Sequence, residues 1–319
     1  MSVHAPGADT TRRRILAAML GLTSFLLPRG GRAASRAGDK VLRQQFDAVR
    51  KWGCQYQNID VERIAASDLD LIVLEPSLND DALQFISADQ VEALKRKPDG
   101  SRRIVLGYMS IGEADTKRWF WPQAWRDNPP DWLGPENRQW PGSHPVRYWD
   151  REWQELLLGP GPSQLEHLLA TGYDGALLDR VDAFEDWRSL EPQAPERMVD
   201  LISAIARQAR AQRPGFLLVP QNAEPLLENR RYRRTIDGLN KESLLTGLHG
   251  RNSFNRPDEV AWSLGYFDLA RQQGLKLLAT EYATDEKVSA KAADRLRELG
   301  FAPFVGRREL DRFPSTGGF

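Results

Sequence analysis

Apolar runs of strand length alternate with stretches of helical periodicity along most of this chain. The runs are CQYQNI from Cys54, LDLIVLEPS from Leu69, RIVLGYMSIG from Arg103 and YDGALLD from Tyr173, followed by FLLVPQN from Phe216, IDGLNKES from Ile236, LKLLATEYA from Leu275 and APFVGR from Ala302. Several are apolar almost throughout, as parallel strands buried on both faces are. Helical periodicity covers 88–97, 150–170, 195–213, 258–273 and 289–299. It is weaker after the first and fifth runs, and Leu310-Asp311-Arg312 reads as the start of a truncated last helix. Eight such units predict an α/β protein, a single (β/α)8 TIM-type barrel over 35–319, close to the usual ~250 residues with insertions. An open doubly wound sheet is the alternative, but no GxGxxG or P-loop follows any run.

One segment departs from the alternation. After the third strand, between Gly112 and Asp150, the chain is rich in Pro and Trp, and seven of its ten tryptophans fall between Trp119 and Trp153. A long loop after a strand belongs on the C-terminal face of a barrel, where active sites are built. Its rings are candidate platforms for sugars, although most are expected to bury one another.

The N-terminal segment has a different pattern. Thr11-Arg12-Arg13-Arg14 precedes an apolar run from Ile15 to Leu27, and small residues surround Ala33 and Ala34. The run is short for a membrane span and suits a signal-peptide core. With its paired arginines, residues 1–34 resemble an export signal of the twin-arginine type, so the remainder is expected to be periplasmic or secreted, without stable membrane insertion once the signal is removed. An uncleaved basic anchor is the alternative.

Composition narrows the chemistry. The 319 residues are 41% hydrophobic and 28% charged, with net charge zero. Residues 1–34 hold five arginines against Asp9 alone, so the remainder carries about −4 and is a poor candidate for nucleic acid. Cys54 is the only cysteine, which rules out an intrachain disulfide, and its apolar setting predicts a buried thiol. The four histidines show no metal-ligand spacing, so no metal site is expected.

The candidate chemistry lies in carboxylates at strand ends. In YDGALLDRVD the alternation of side chains puts Gly175, Leu177 and Asp179 on one face, with Asp179 at the C-terminal end. The sixth run places Glu242 near its end. Two carboxylates facing one glycosidic bond are what glycoside hydrolysis needs, one protonating the leaving oxygen and the other attacking or activating water. The alternatives are ion pairs, Asp179 with Arg180 or a loop and Glu242 with Lys241 or Arg251. Tyr56, Gln57, Glu75, Tyr108, Ser110, Glu113, Gln221, Asn222, Glu224, Glu281 and Tyr282 lie at or just beyond the ends of the other strands, and Asp182 follows Asp179 by a turn. All but Glu224 are taken as candidate substrate-binding residues, each with a loop-anchoring or capping alternative. Asp150 reads as a helix N-cap and Asp174 as a group fixing a strand entrance.

The segments CQYQNID, VLGYMSIGEAD, WPGSHPVRYWDREW, YDGALLDRVDAFEDW, VPQNAE, IDGLNKESL and FVGRREL, taken in order, resemble a group of glycoside hydrolases related to the endo-α-1,4-polygalactosaminidases (glycoside hydrolase family 114). The resemblance implies a TIM-like barrel that hydrolyses α-1,4-linked galactosamine or N-acetylgalactosamine polysaccharide. It also implies a retaining mechanism with Asp179 as nucleophile and Glu242 as general acid/base, needing no cofactor. The chain departs from the pattern at Glu75, where relatives often have Asp, and in a looser sixth-strand segment. Two other readings stand beside this one: a non-catalytic carbohydrate-binding barrel serving polysaccharide export or assembly, and a sugar deacetylase, disfavoured by the missing histidine cluster. An amino-sugar polysaccharide is the expected partner.

Overall fold

The computed structural model describes residues 29–78 and 81–313. The arginine pair and apolar run of the expected export signal lie outside the described residues, and a helix, Arg29–Asp47, begins within the expected signal segment. Among the described residues no helix is long and apolar enough to cross a membrane.

Each of the eight strand-like runs overlaps a strand. In chain order they are β1 (Trp52–Gln55), β2 (Leu71–Leu74), β3 (Ile104–Ser110), β4 (Gly175–Asp179), β5 (Leu217–Pro220), β6 (Gly238–Glu242), β7 (Lys276–Glu281) and β8 (Ala302–Val305). β1 to β5 form a parallel sheet in sequential order, and β6 to β8 form a second parallel sheet, also sequential. Beyond β5, Gln221 makes a parallel bridge to Asn240 in β6. At the other edge, the indole N–H of Trp52 in β1 donates to the Ala302 carbonyl of β8 at 2.8 Å.

Side-chain alternation divides the apolar interior in two. Cys54, Val73, Leu106, Leu177, Val219, Leu278 and Phe304 pack together on the inner face, capped by Tyr56, Tyr108 and Tyr282. Ile72, Val105, Ala176, Leu178, Leu218, Leu239 and Ala279, one residue out of phase, pack with the helices in a larger cluster. Cys54 is buried, as its apolar surroundings predict. Asp174 is buried at the start of β4, paired with Arg102 and accepting the Val105 N–H at 3.0 Å, which fixes the strand entrance.

Two helical expectations need correction. The stretch 150–170 is two helices, Arg151–Leu158 and Gln164–Thr171, because Gly159-Pro160-Gly161-Pro162 removes backbone donors and helical propensity at its centre. Asp150 caps the first of them, accepting the Glu152 N–H at 2.9 Å. Leu310–Arg312 is not helical. Leu310 adopts φ 47, and its carbonyl accepts the Tyr56 N–H at 2.8 Å, tying the C-terminal segment to β1.

Between β3 and the Arg151 helix the chain forms a short hairpin, Glu113–Asp115 against Ser143–Pro145, and a 3-10 turn, Gln123–Arg126. Phe120, Trp153, Trp132, Trp125, Trp121 and His144 make a continuous row of ring contacts, with neighbouring centroids 5.0 to 5.7 Å apart. Trp153 also donates to the Ile111 carbonyl at 2.9 Å, fastening this segment to the end of β3.

Candidate active site

Asp179 stands two residues beyond Leu177 and therefore on the inner face at the C-terminal end of β4. Gly175 makes that position attainable: a Cβ there would fall on the Leu217 carbonyl oxygen of the neighbouring strand. The Asp179 carboxylate accepts three hydrogen bonds, from Tyr108 Oη (2.5 Å), Gln221 Nε2 (2.9 Å) and the Arg180 backbone N–H (2.8 Å). The Arg180 guanidinium turns away, to Glu113, Asp182 and Asp186. The ion-pair alternative for Asp179 with Arg180 is thus not what its geometry displays.

Glu242 ends β6 two residues beyond the fully buried Asn240, on the same inner face. Its carboxylate accepts from the Tyr282 hydroxyl and, at 3.3 Å, from Asn222 Nδ2. Neither alternative cation reaches it: Lys241 Nζ lies 3.1 Å from Glu224, and Arg251 faces Glu309. The two carboxylates are linked through an inner-face network. Gln221, which holds Asp179, accepts from Asn240 Nδ2 at 2.8 Å, and Asn240 exchanges hydrogen bonds with Thr280. The Asn240 carbonyl accepts at 2.8 Å from the N–H of Asn222, the residue that donates to Glu242. The residues following the site-bearing strand ends, Arg180, Asn222 and Ser243, all adopt φ between 51 and 58.

Burial and the neighbouring Asp179 charge push the Glu242 carboxyl up from 4.5 to about 7, against the pull of Tyr282 and Asn222. Asp182 rises from 3.8 to about 6, again through burial first, with Arg180 opposing and Asp179 adding. Glu113 is raised by burial, opposed by Arg180 and by Asn137, which donates to it at 2.9 Å. The phenols of Tyr108 and Tyr282 are held far above their usual range by burial and by the carboxylates they touch, so they remain donors. A carboxyl protonated near neutrality beside a carboxylate supplied with three donors is an acid–base division of labour.

The remaining candidates divide. Tyr56 packs against Tyr108, with ring centroids 4.4 Å apart and the rings tilted at 48°. Glu75 is buried and bound to Arg118 (2.5 Å) and Ser77, beside Tyr108 and Trp119 in a small cavity. The Ser110 hydroxyl donates to the Glu113 carbonyl and holds the hairpin. Gln57 is exposed and accepts from Gln55 through its carbonyl. Glu281 requires correction. It lies on the outer face, wholly buried, accepting from the Leu245 and Thr246 backbone N–H groups and from the Thr246 hydroxyl at 2.6 to 2.8 Å. It anchors the loop after Glu242 and offers no oxygen to a ligand. Asn240, Thr280 and Arg118 were not among the expected site residues. Alternation could have flagged the first two, since each stands two residues before a site group.

The profile of glycoside-hydrolase family GH114 matches residues 33–317. An uncharacterized protein of Deinococcus radiodurans is 32% identical over 273 residues, covering 84% of this chain and 83% of that protein. An uncharacterized protein of Thermotoga maritima is 26% identical over 279 residues, covering 83% of each. Among solved structures, the glycoside hydrolase domain of PelA from Pseudomonas aeruginosa superposes with a TM-score of 0.65 at 22% identity, covering 83% of this chain and 97% of that domain.

Proposed function

Because the chain belongs to glycoside-hydrolase family GH114, we propose that it hydrolyses an α-1,4-linked galactosamine or N-acetylgalactosamine polysaccharide with Asp179 and Glu242 as its two working carboxylates. One observation carries this reading: both acids end parallel strands on the same face, each is held by a tyrosine hydroxyl, and burial with the neighbouring Asp179 pushes Glu242 up to about 7. In the first step protonated Glu242 gives its proton to the glycosidic oxygen while Asp179 attacks the anomeric carbon, so the C–O bond breaks as the glycosyl ester forms. In the second, ionised Glu242 takes a proton from water, the resulting hydroxide attacks the anomeric carbon, and Asp179 leaves as carboxylate. This is a retaining mechanism that needs no cofactor. The two parallel sheets are read as one (β/α)8 barrel closed between β5 and β6 and between β8 and β1, with the Trp-rich segment at its mouth. The arginine-rich N-terminus is read as an export signal of the twin-arginine type, with the polysaccharide met in the periplasm or outside the cell.

The test is release of reducing ends from α-1,4-galactosaminoglycans, acetylated and deacetylated, by the wild-type chain beside Asp179→Asn and Glu242→Gln. Hydrolysis by the wild type with a loss of about 10³-fold or more in each folded variant is expected. A variant that keeps wild-type turnover removes its acid from the mechanism, and binding without hydrolysis by the wild type would favour a carbohydrate-binding role.

A further inference from the structure

Among the described residues six large hydrophobic side chains are exposed, and two of them, Leu248 and Trp262, lie on one cavity beside the end of β6. Leu248 (58% exposed) belongs to the loop that follows β6, and Trp262 (56%) to the helix after it. Leu248 and Trp262 line a cavity of about 420 Å³, within the usual size of a small-ligand site. Trp262 has one ring neighbour, Tyr266, edge-on at 5.1 Å.

The cavity borders the strand end that carries the candidate acid. Lys241 and Ser243, the residues either side of Glu242, form part of its wall. Lys241 Nζ lies 3.1 Å from the buried Glu224 and 3.5 Å from Asn222 Oδ1, and Asn222 in turn donates to Glu242. The Ser263 hydroxyl also donates to Glu224, at 2.8 Å, which holds the base of the cavity rigid. An ammonium has three donors, and two of those on Lys241 are directed at Glu224 and Asn222, leaving one for a ligand hydroxyl. Asp258 at the rim is exposed and lies 3.6 Å from Arg256 Nε, a long contact that leaves carboxylate oxygen for a ligand hydroxyl or ammonium. An aromatic face, a fixed cationic donor and an acidic rim suit one pyranose ring with a free amine.

We propose that this cavity is a second sugar subsite, one side chain removed from Glu242, which holds an amino-sugar residue of the polysaccharide on Trp262. The proposal rests on the glycosidase reading and extends it. The polymer would run from the Glu242 side of the cleft over Ser243 and Lys241, so affinity should grow with chain length until this subsite is filled.

The experiment uses Glu242→Gln as the parent, so that ligand is not consumed. Calorimetric titration compares short and long fragments of deacetylated α-1,4-linked polygalactosamine against the parent, the parent with Trp262→Ala and the parent with Trp262→Phe. Trp262→Ala should weaken the long fragment roughly tenfold, the loss expected for one well-placed aromatic contact. The phenyl ring should restore part of that affinity. Val41→Ala, which trims an exposed apolar side chain on the N-terminal helix, should bind as the parent does. Equal affinity of parent and Trp262→Ala for the long fragment overturns the subsite, and hydrolysis of the same polymer by the wild type then leaves the glycosidase reading standing alone. No binding by the parent overturns the subsite together with the choice of polymer.

Discussion

The Tyr282 hydroxyl supplies the most direct handle on the candidate acid. It donates to Glu242, and that bond favours the ionised carboxylate, partly offsetting the burial and the Asp179 charge that raise the group to about 7. Tyr282→Phe keeps the ring and removes the donor. A hydrogen bond to a charged group is worth about 1.5–3 kcal/mol, and one pKa unit is 1.36 kcal/mol, so Glu242 should move from about 7 to roughly 8–9. If Glu242 must be protonated for the first step, the basic limb of the kcat/KM profile follows its pKa in the free enzyme. The limb should therefore move to higher pH by one to about two units. The assay is reducing-end release at low substrate concentration from pH 5 to pH 10, with a melting curve at each end to show that the variant stays folded. A basic limb that stays in place or moves to lower pH would refute the assignment of Glu242 as the acid.

Three other substitutions test the framework. Glu242→Gln should stabilise the fold at alkaline but not acidic pH: because the folded pKa is raised, protonated Glu242 contributes stability fully below about 4.5, and this is lost as pH rises through about 7. The difference, up to about 3 kcal/mol, should appear in urea midpoints at pH 8 and vanish at pH 4. Glu281→Gln should cost roughly 1.5–3 kcal/mol, because an amide nitrogen replaces one of two oxygens that face only donors. Limited proteolysis should then cut first within 243–255, and equal resistance to the protease would argue against an anchoring role. Gly175→Ala should lose roughly 3 kcal/mol, since the new methyl meets the Leu217 carbonyl, and an unchanged urea midpoint would contradict that close approach.

Much of this arrangement is readable from the sequence because period-2 alternation and strand order are local properties. The eight apolar runs could be counted, and the phase of Leu177 with Asp179 predicted which face the acid would take. The same rule, applied to LKLLATEYA, separates Glu281 from Tyr282; treating every polar residue at a strand end as part of the mouth hid this. The start of β1 was missed because Trp52-Gly53 precedes the run, CQYQNI, that marked it. The Gly159–Pro162 break is explicit in the sequence, yet the helical period resumes on its far side, which concealed the interruption. The partners of the acids are another matter. That Tyr108 meets Asp179 while Tyr282 meets Glu242 depends on the register between strands distant in sequence, and periodicity carries no information about register.

The backbone around the site explains how those partners are held in place. Arg180, Asn222 and Ser243 occupy a left-handed conformation that costs a non-glycine residue of order 1–3 kcal/mol, and each follows a strand that brings a site residue. Each is fixed by several separate ties. Arg180 is held by three carboxylates, and its carbonyl lies so close to Gly112 that a Cβ there would strike it. Asn222 accepts the Glu242 N–H at 3.0 Å through Oδ1 and donates to the carboxylate through Nδ2. The Ser243 N–H donates to Thr280, and its carbonyl accepts from Asn255 at 2.7 Å. Without these ties the turns would relax, and the donors aimed at Asp179 and Glu242 would swing away from the positions where charge must develop. The ties, at the cost of strain in three turns, thus keep the hydrogen-bond donors on Asp179 and Glu242 oriented, the arrangement in which the proposed mechanism would need least reorganisation during reaction.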